Sequence, residues 1–417
     1  MKYLFSLFLG GCTIVSSVAQ TSDTLRFMHY NILKYGYQWA CMSQSTKNSA
    51  LKTIFNAYKP DILTVNEIEP LSTTVELLRT ATLTYSASMR STPFSNSNAS
   101  DIGNALYYNA DKFGYLGLRA IKGNVRDIDV HRLYYKPATV KNDTFDFWYL
   151  VAHLKAGTDY RADRAEAAKD IANWLTANRN VQRYLIAGDF NLYSSQEEAW
   201  QILTSGSSPR FIDPAGQLTG WEGQQYARYH TQSPNDRSSN DCATTGGMDN
   251  RFDFILISPV MAHSTDHVKV IDYQAFGNDG VSYNAYLDCN DTRSITSTVC
   301  SALRRVSDHL PVTMRMTLPR NTSSGEVFDD VPFRAEIWGN PARQSFSVQV
   351  KAQKSDRYRW QIIDVLGRVL AENTIALKAG SEAFNVEVPE SLTNSTYFLV
   401  LRNAEDKALM LRFAVLR

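Results

Sequence analysis

The chain has 417 residues, 44% of them hydrophobic, which suffices for one large domain with a sizeable core and a second, smaller domain. Its 43 lysines and arginines almost cancel its 42 aspartates and glutamates, for a formal charge of +1. That balance excludes a strongly basic protein that wraps polyanions, while leaving room for a local basic cleft.

The N-terminus carries Lys2, an apolar run from Tyr3 through Leu9 to Val15, and the small residues Ser17 and Ala19 at alternate positions. This is the pattern of an export signal over residues 1–19, whose removal leaves Gln20 first. A competing reading takes Leu9-Gly10-Gly11-Cys12 as a lipoprotein signal, which confines the apolar region to a length at the short end of export signals. No later segment approaches the ~20 consecutive apolar residues of a membrane span. The mature chain is therefore expected to be a soluble monomer without stable membrane insertion.

Strand-like runs follow at 25–30, 62–65, 105–108, 145–152, 184–187, 252–257 and 312–318. Helical spacing covers about 162–178, where Ala165, Ala168, Ile171, Ala172 and Leu175 share a face, and a second helix covers 49–58. A third starts after Asn191, with Ser195-Gln196-Glu197-Glu198 as a capping box. Several strands are apolar throughout, hence buried on both faces, and call for helices over sheets in an α/β layered domain spanning 20–318. The polar stretch from Pro319 has linker chemistry, setting a linker over 319–335. Beyond it, runs at 345–350, 358–365, 382–388, 397–401 and 409–415 alternate apolar and polar residues, as in a small all-β sandwich over 336–417.

Loss of Cys12 with the signal leaves Cys41, Cys242, Cys289 and Cys300, an even set in an exported chain. Four cysteines allow three pairings. Cys289 with Cys300 is preferred because the two bracket a polar loop, leaving Cys41 with Cys242; buried free thiols are the alternative. No Cys/His spacing suggests structural zinc.

Five hydrophobic runs end on ionisable or amide side chains: Asn31 after FMHY, Glu67 after DILTVN, His153 after WYLVA, Asp189 and Asn191 in LIAGDFN, and Asp308-His309 in SDHLP. Each alone is an ordinary turn residue. Together they supply what hydrolysis of a phosphodiester needs: a cation on the phosphoryl oxygens, a base for water and help for the leaving oxygen. Glu67 and Asn31 are oxygen ligands suited to a hard ion such as Mg²⁺, although Glu69 can replace Glu67. His309 can take a proton from water if a carboxylate holds its other ring nitrogen. Asp253 is the candidate partner, because it interrupts the apolar strand RFDFILIS, where an ionised carboxylate is costly unless paired. Asp189 and Asn191 point the same way if their strand continues, or else form a simple turn. His153 can place a cationic or neutral donor on a phosphoryl oxygen.

With these residues in HYNIL, VNEIE, AHLKAG, AGDFN, RFDFILIS and SDHLPV, and GNALYYN as a central strand, residues 25–318 resemble the endonuclease/exonuclease/phosphatase superfamily. Its members include pancreatic-type deoxyribonucleases, apurinic endonucleases, sphingomyelinases and inositol-polyphosphate phosphatases. AGDFN followed much later by SDHLP is a highly specific pair. The resemblance implies a four-layer α-β-β-α sandwich, two sheets face to face with helices outside, and a divalent ion at one rim, Mg²⁺ or else Mn²⁺ or Ca²⁺. It implies that His309 is the general base and Asp253 its orienting partner, and that Glu67, Asn31 and Asp308 hold the metal. Asp189, Asn191 and His153 would then bind the scissile phosphate, or Asp189 assist the leaving group. The acidic residue that supports the equivalent of His153 in deoxyribonucleases is not evident, since Asn104 occupies the corresponding strand.

YRWQIIDVLGRV at 358–369, Gly380, SLTNSTYFLVL and the final strand resemble the sorting domain of type IX secretion cargo. The resemblance implies contact with that secretion machinery and a secreted or cell-surface location. A carbohydrate-binding or purely structural sandwich is the alternative.

Substrate choice falls to loops. Trp221, Tyr226, Tyr229 and His230 in the long polar segment 220–250 can stack on bases or pack as ordinary aromatics. Lys155, Arg161, Arg164, Arg304 and Arg305 lie near motif residues and can contact a phosphate backbone or remain solvated. The expected substrate is DNA, with RNA as the second choice of nucleic acid, cleaved outside the cell. A small or lipid phosphate ester is the second reading, and a non-catalytic surface binding protein the third.

Overall fold

The computed structural model describes residues 22–37, 42–95, 102–138, 145–178, 181–205, 209–216, 218, 220–235, 243–263, 268–319, 333–338, 340–364, 368–405 and 407–416. The expected signal peptide, Cys12, Cys41, Cys242 and most of the expected linker lie outside the described residues. The chain divides into two compact units.

The first unit begins with β1 (Ser22–Tyr35), α1 (Gln44–Tyr58), β2 (Ile62–Ile68), α2 (Ser72–Thr82), β3 (Met89–Ser91) and β4 (Gly103–Asn109). It continues with β5 (Phe113–Ile121), β6 (Ile128–Tyr135), β7 (Asp146–His153), α3 (Arg161–Ala177) and β8 (Tyr184–Asp189). The last elements are α4 (Glu198–Thr204), β9 (Asp253–Ile257), α5 (Pro259–Ala262), β10 (Lys269–Ala275), α6 (Ser297–Val306) and β11 (Val312–Pro319). One sheet has the order β10-β11-β1-β2-β4-β3 and the other β5-β6-β7-β8-β9.

Strand alternation sorts the core into three layers. On β1, Leu25 and Phe27 face the opposing sheet, where they meet Tyr149, Val151, Leu185 and Ile255, while Met28, Tyr30 and Ile32 face α1 and α6. On β7, Leu150 and Ala152 face the other way, onto α3 and α4. The result is the expected four-layer α-β-β-α sandwich. Helix α1 starts earlier than its apolar periodicity suggests, because the Ser43 hydroxyl accepts the Thr46 N–H and caps it.

The capping box does not form. Helix α4 starts only at Glu198, three residues after Ser195, so Ser195 is not its N-cap; the N-cap position falls to Glu197, which makes no cap bond and instead holds Arg164. The expected disulfide Cys289–Cys300 is present, with Cα atoms 5.4 Å apart. It ties the preceding loop to α6, the helix that leads into Ser307-Asp308-His309.

His131 on β6 is fully buried beside Tyr115, and burial lowers its pKa to about 3. The unfolded chain therefore takes up a proton that the native state refuses, so this residue costs stability as pH falls below ~6.5 and is silent above it. Unfolding titrations at pH 7 and pH 4.5 should show His131→Phe losing about 2–3 kcal/mol less than wild type on acidification.

The second unit contains β12 (Phe333–Trp338), β13 (Ser345–Ala352), β14 (Asp356–Ile363), β15 (Val369–Leu377), β16 (Gly380–Glu387), β17 (Ser395–Arg402) and β18 (Ala408–Val415). They form a three-stranded sheet, β12-β13-β16, and a four-stranded sheet, β15-β14-β17-β18. Phe346, Val348, Tyr358, Ile362, Leu399 and Phe413 pack in one core shared by both sheets. Strand β12 begins at Phe333, inside the span expected for the linker, because it pairs along its whole length with β13.

Candidate active site

The inter-sheet face of each central strand changes from apolar to polar toward one rim. On β1 the row Leu25, Phe27 continues as His29 and Asn31; on β2, Ile62 continues as Thr64 and Asn66; on β8, Leu185 and Ala187 end at Asp189. β1 and β2 are parallel, as are β7 and β8, so Glu67, His153 and Asp189 stand at or beside C-terminal strand ends, with Asn31 in the last third of β1, just before its register shift. Asp253 opens β9, which runs antiparallel to β8 and pairs Asp253 with Asp189. Packing two sheets thus brings scattered segments together.

Asn31 bridges the sheets: its Nδ2 donates to Glu67 Oε1 at 3.1 Å and to Asp189 Oδ2 at 3.0 Å. Glu67 sits at a register shift between Asn66 and Ile68 with φ +60°, a left-handed conformation that costs a side-chain-bearing residue roughly 1–2 kcal/mol. Asn66 Oδ1 accepts the Asp189 N–H at 2.8 Å, and its Nδ2 donates to Asn104 Oδ1 at 2.7 Å. The end of β1 is held by buried Lys47, which donates to the carbonyls of Ile32 and Leu33. Ser307 donates to the Asn31 carbonyl at 2.7 Å and accepts the His309 N–H at 3.1 Å, joining the SDHLP segment to β1.

His309 Nδ1 lies 2.7 Å from Asp253 Oδ2, and its Nε2 lies 3.8 Å from Asp189 Oδ2. Burial works to lower the His309 pKa, but the carboxylates of Asp253 and Asp189 outweigh it and hold the ring well above the usual imidazole range. Burial pushes the Asp189 carboxyl up to about 7, with Asp253 and Glu67 adding to the rise and His309 opposing it. His153 Nε2 is 3.5 Å from Asp189 Oδ2, while its Nδ1 is buried without a hydrogen-bond partner. Burial and then Arg126 lower its pKa well below the usual value, which favours the neutral ring. Asn104 does not support it; that amide spends its N–H groups on the backbone of Asp127 and Val151.

Asp308 is buried, with Oδ2 accepting the Thr244 N–H at 2.7 Å. Glu67 Oε2, Asp253 Oδ1 and Asp308 Oδ1 are buried without a hydrogen-bond partner. A buried carboxylate oxygen without a partner is the kind of atom a hard divalent cation takes. The acids and imidazole whose ligand atoms lie within 4.8 Å of one another among the described residues are Asp189, Asp253 and His309; Glu67 and Asp308, expected to hold the metal, are not in that group. The residues present fit a divalent metal.

Other expectations need correction. β8 ends at Asp189, and Asn191 adopts φ +50°, so the pair is joined by Asp189 Oδ1 accepting the Asn191 N–H at 3.1 Å, the turn geometry rather than a continued strand. Asn191 Nδ2 is committed to the Leu154 carbonyl at 3.2 Å. Arg164 is no substrate contact: fully buried, it donates Nε and Nη2 to Glu197 Oε2 and Nη1 to the carbonyls of Lys155 and Gly157. Removing it strands the Glu197 carboxylate, so Arg164→Ala should cost about 3–5 kcal/mol in chemical denaturation. Arg161 and Arg305 are exposed and make no hydrogen bond or ion pair with the cluster. Trp221 and His230 are fully buried, the indole against Trp200 and Phe254, and Tyr226 and Tyr229 pack against the cores, so this aromatic set is structural.

Sequence reasoning missed His29, Asn66, Ser307, Arg126 and Gln232. His29 Nδ1 lies 3.0 Å from Thr64 Oγ1 and its Nε2 lies 3.9 Å from Asp253 Oδ1, behind the His309 pair. Its place two residues before Asn31 on the same strand face was the available signal. Arg126 Nη1 donates to the carbonyls of His153 and Leu154, at 3.3 and 3.2 Å.

The family model of the Endonuclease/Exonuclease/phosphatase family matches residues 28–309. The chain belongs to that family. It is accordingly a divalent-metal-dependent phosphoester hydrolase, like other family members. Residues 336–412 match the secretion system C-terminal sorting domain, which marks type IX secretion to the cell surface or extracellular space. Among the described residues, no helix is long and apolar enough to cross a membrane. The chain is similar to the human Nocturnin catalytic domain with bound sulfate anion, at 16% identity over 71% of this chain and 97% of that one, TM-score 0.46. It is similar to D. rerio TDP2 complexed with single strand DNA product, at 15% identity over 70% and 99%, TM-score 0.48. A third similar family structure is the Bacteroides thetaiotaomicron mannosyl-6-phosphatase, at 16% identity over 70% and 99%, TM-score 0.45. No curated protein sequence matches the chain.

Proposed function

We propose that the protein is an exported nuclease that hydrolyses the phosphodiester bonds of DNA or RNA with Mg²⁺, or else Mn²⁺ or Ca²⁺. The observation that carries the reading is the 2.7 Å Asp253–His309 pair, buried at the rim where Asn31 links Glu67 to Asp189. Asp253 keeps the proton of the neutral imidazole on Nδ1, so Nε2 faces the Asp189 side with its lone pair and removes a proton from water. Asp189, whose carboxyl burial pushes up to about 7, can donate to a phosphoryl or leaving oxygen when protonated. His153, neutral and next to Asp189, donates to the same phosphate, and the Asn191 carbonyl oxygen orients that group or its water. Glu67, Asn31 and Asp308 would hold the cation. When bound, it polarises the phosphoryl oxygen and offsets the carboxylate charge that otherwise keeps His309 protonated.

Support for a nucleic-acid substrate comes from the loop after His153. Tyr160 is exposed there, with the Lys155 ammonium 4.7 Å from its ring centre, an aromatic and a cation side by side at the rim. The test is a panel of plasmid DNA, single-stranded DNA, RNA, sphingomyelin and inositol phosphates, with each metal and with chelator. Faster turnover of a headgroup than of every nucleic acid would overturn the substrate assignment.

A further inference from the structure

We infer that Gln232 is a positioning residue that holds the attacking water on His309, an inference resting on the assignment of His309 as base. The side-chain nitrogen of Gln232 lies 3.1 Å from His309 Nε2, the nitrogen left after Asp253 has taken Nδ1. Any water that gives its proton to Nε2 must occupy the space at that carboxamide. The mount is rigid. Thr231 Oγ1 accepts the N–H groups of Phe252 and Asp253, and the Thr231 carbonyl accepts the Leu310 N–H at 2.7 Å. Gln232 itself bridges through its backbone to Asn250 and His309, and the Ser233 N–H donates to the Gly247 carbonyl at 2.8 Å. The segment is therefore stitched to both members of the Asp253–His309 pair, and the Gln232 side chain is half-buried.

A carboxamide suits this place because it carries both a donor and an acceptor. Its N–H group meets the lone pair of neutral His309, and after rotation its oxygen accepts from the protonated ring. The same two ends grip a water that takes over Nε2, so the water is held by the imidazole and the amide together. Two-point holding fixes the direction of attack, where misplacement by about 1 Å costs on the order of 100-fold.

The experiment compares full-length wild type, His309→Ala, Gln232→Ala and Gln232→Met on the same nucleic-acid substrate, with thermal melting to confirm folding. Methionine keeps the reach and bulk of glutamine without its hydrogen bonds. Both Gln232 variants should lose kcat by about 10- to 100-fold with KM unchanged. Wild-type turnover in Gln232→Met, faster turnover in Gln232→Ala, or a change in KM alone would overturn the inference while leaving His309 as the base. Full activity in His309→Ala would remove the base itself, and the inference with it.

Discussion

Replacing His309 by alanine should lower kcat/KM about 10²- to 10⁴-fold, the usual contribution of a positioned general base. The loss should fall on kcat rather than on KM, because water activation matters only as the bond to phosphorus forms. Asp253→Asn should be similarly damaging, since an amide that presents its N–H group to Nδ1 forces the imidazole proton onto Nε2. The double variant should lose little more than the worse single one, because groups that act as a unit are not additive. Steady-state kinetics on one oligonucleotide checks all three. A double loss equal to the product of the single losses would separate Asp253 from His309.

Removing the metal should be at least as severe. A cation on the phosphoryl oxygen contributes several kcal/mol, and each ~1.4 kcal/mol is tenfold, so dialysis against chelator should lower turnover by ~10³-fold or more. Glu67→Gln keeps the shape of the side chain and removes the charge proposed to anchor the ion. Binding also has a readout independent of activity: at a hundred times its Kd, a metal should stabilise wild type by about 2.7 kcal/mol. Glu67→Gln should lose most of that gain in a metal-dependent thermal shift. An undiminished shift in the variant would place the ion elsewhere.

The local segments were legible because each obeys short-range rules. The runs around Ile62 and Tyr184 are apolar at consecutive positions, as strands buried on both faces must be, while the run from Val312 alternates apolar with polar residues at the period of a strand. The helix over α3 followed from its alanine and leucine spacing. The β5–β6 hairpin and α6 were not anticipated. In β5, Gly114 and Gly117 dilute the apolar signal, and α6 opens on small polar residues, so neither reads strongly by itself.

Asp253 shows how far one-dimensional reasoning reaches: a carboxylate inside RFDFILIS demands a partner, and the chemistry of SDHLP supplies it. Arg164 shows where it stops. A basic residue at the start of a helix looks solvated, yet the α3–α4 contact buries it against Glu197, the residue just before α4. Trp221 and His230 went the same way, into the core rather than toward substrate.

Residue order alone thus established which side chains end the strands, the α/β layering and the all-β second unit, since periodicity and apolar runs are properties of neighbours in the chain. The packing of two sheets decided the rest: that Asn31 reaches Asp189 across 158 positions, that His29 stands behind Asp253, and that Gln232 lies against His309. Such contacts depend on register and sheet separation, which no local segment encodes.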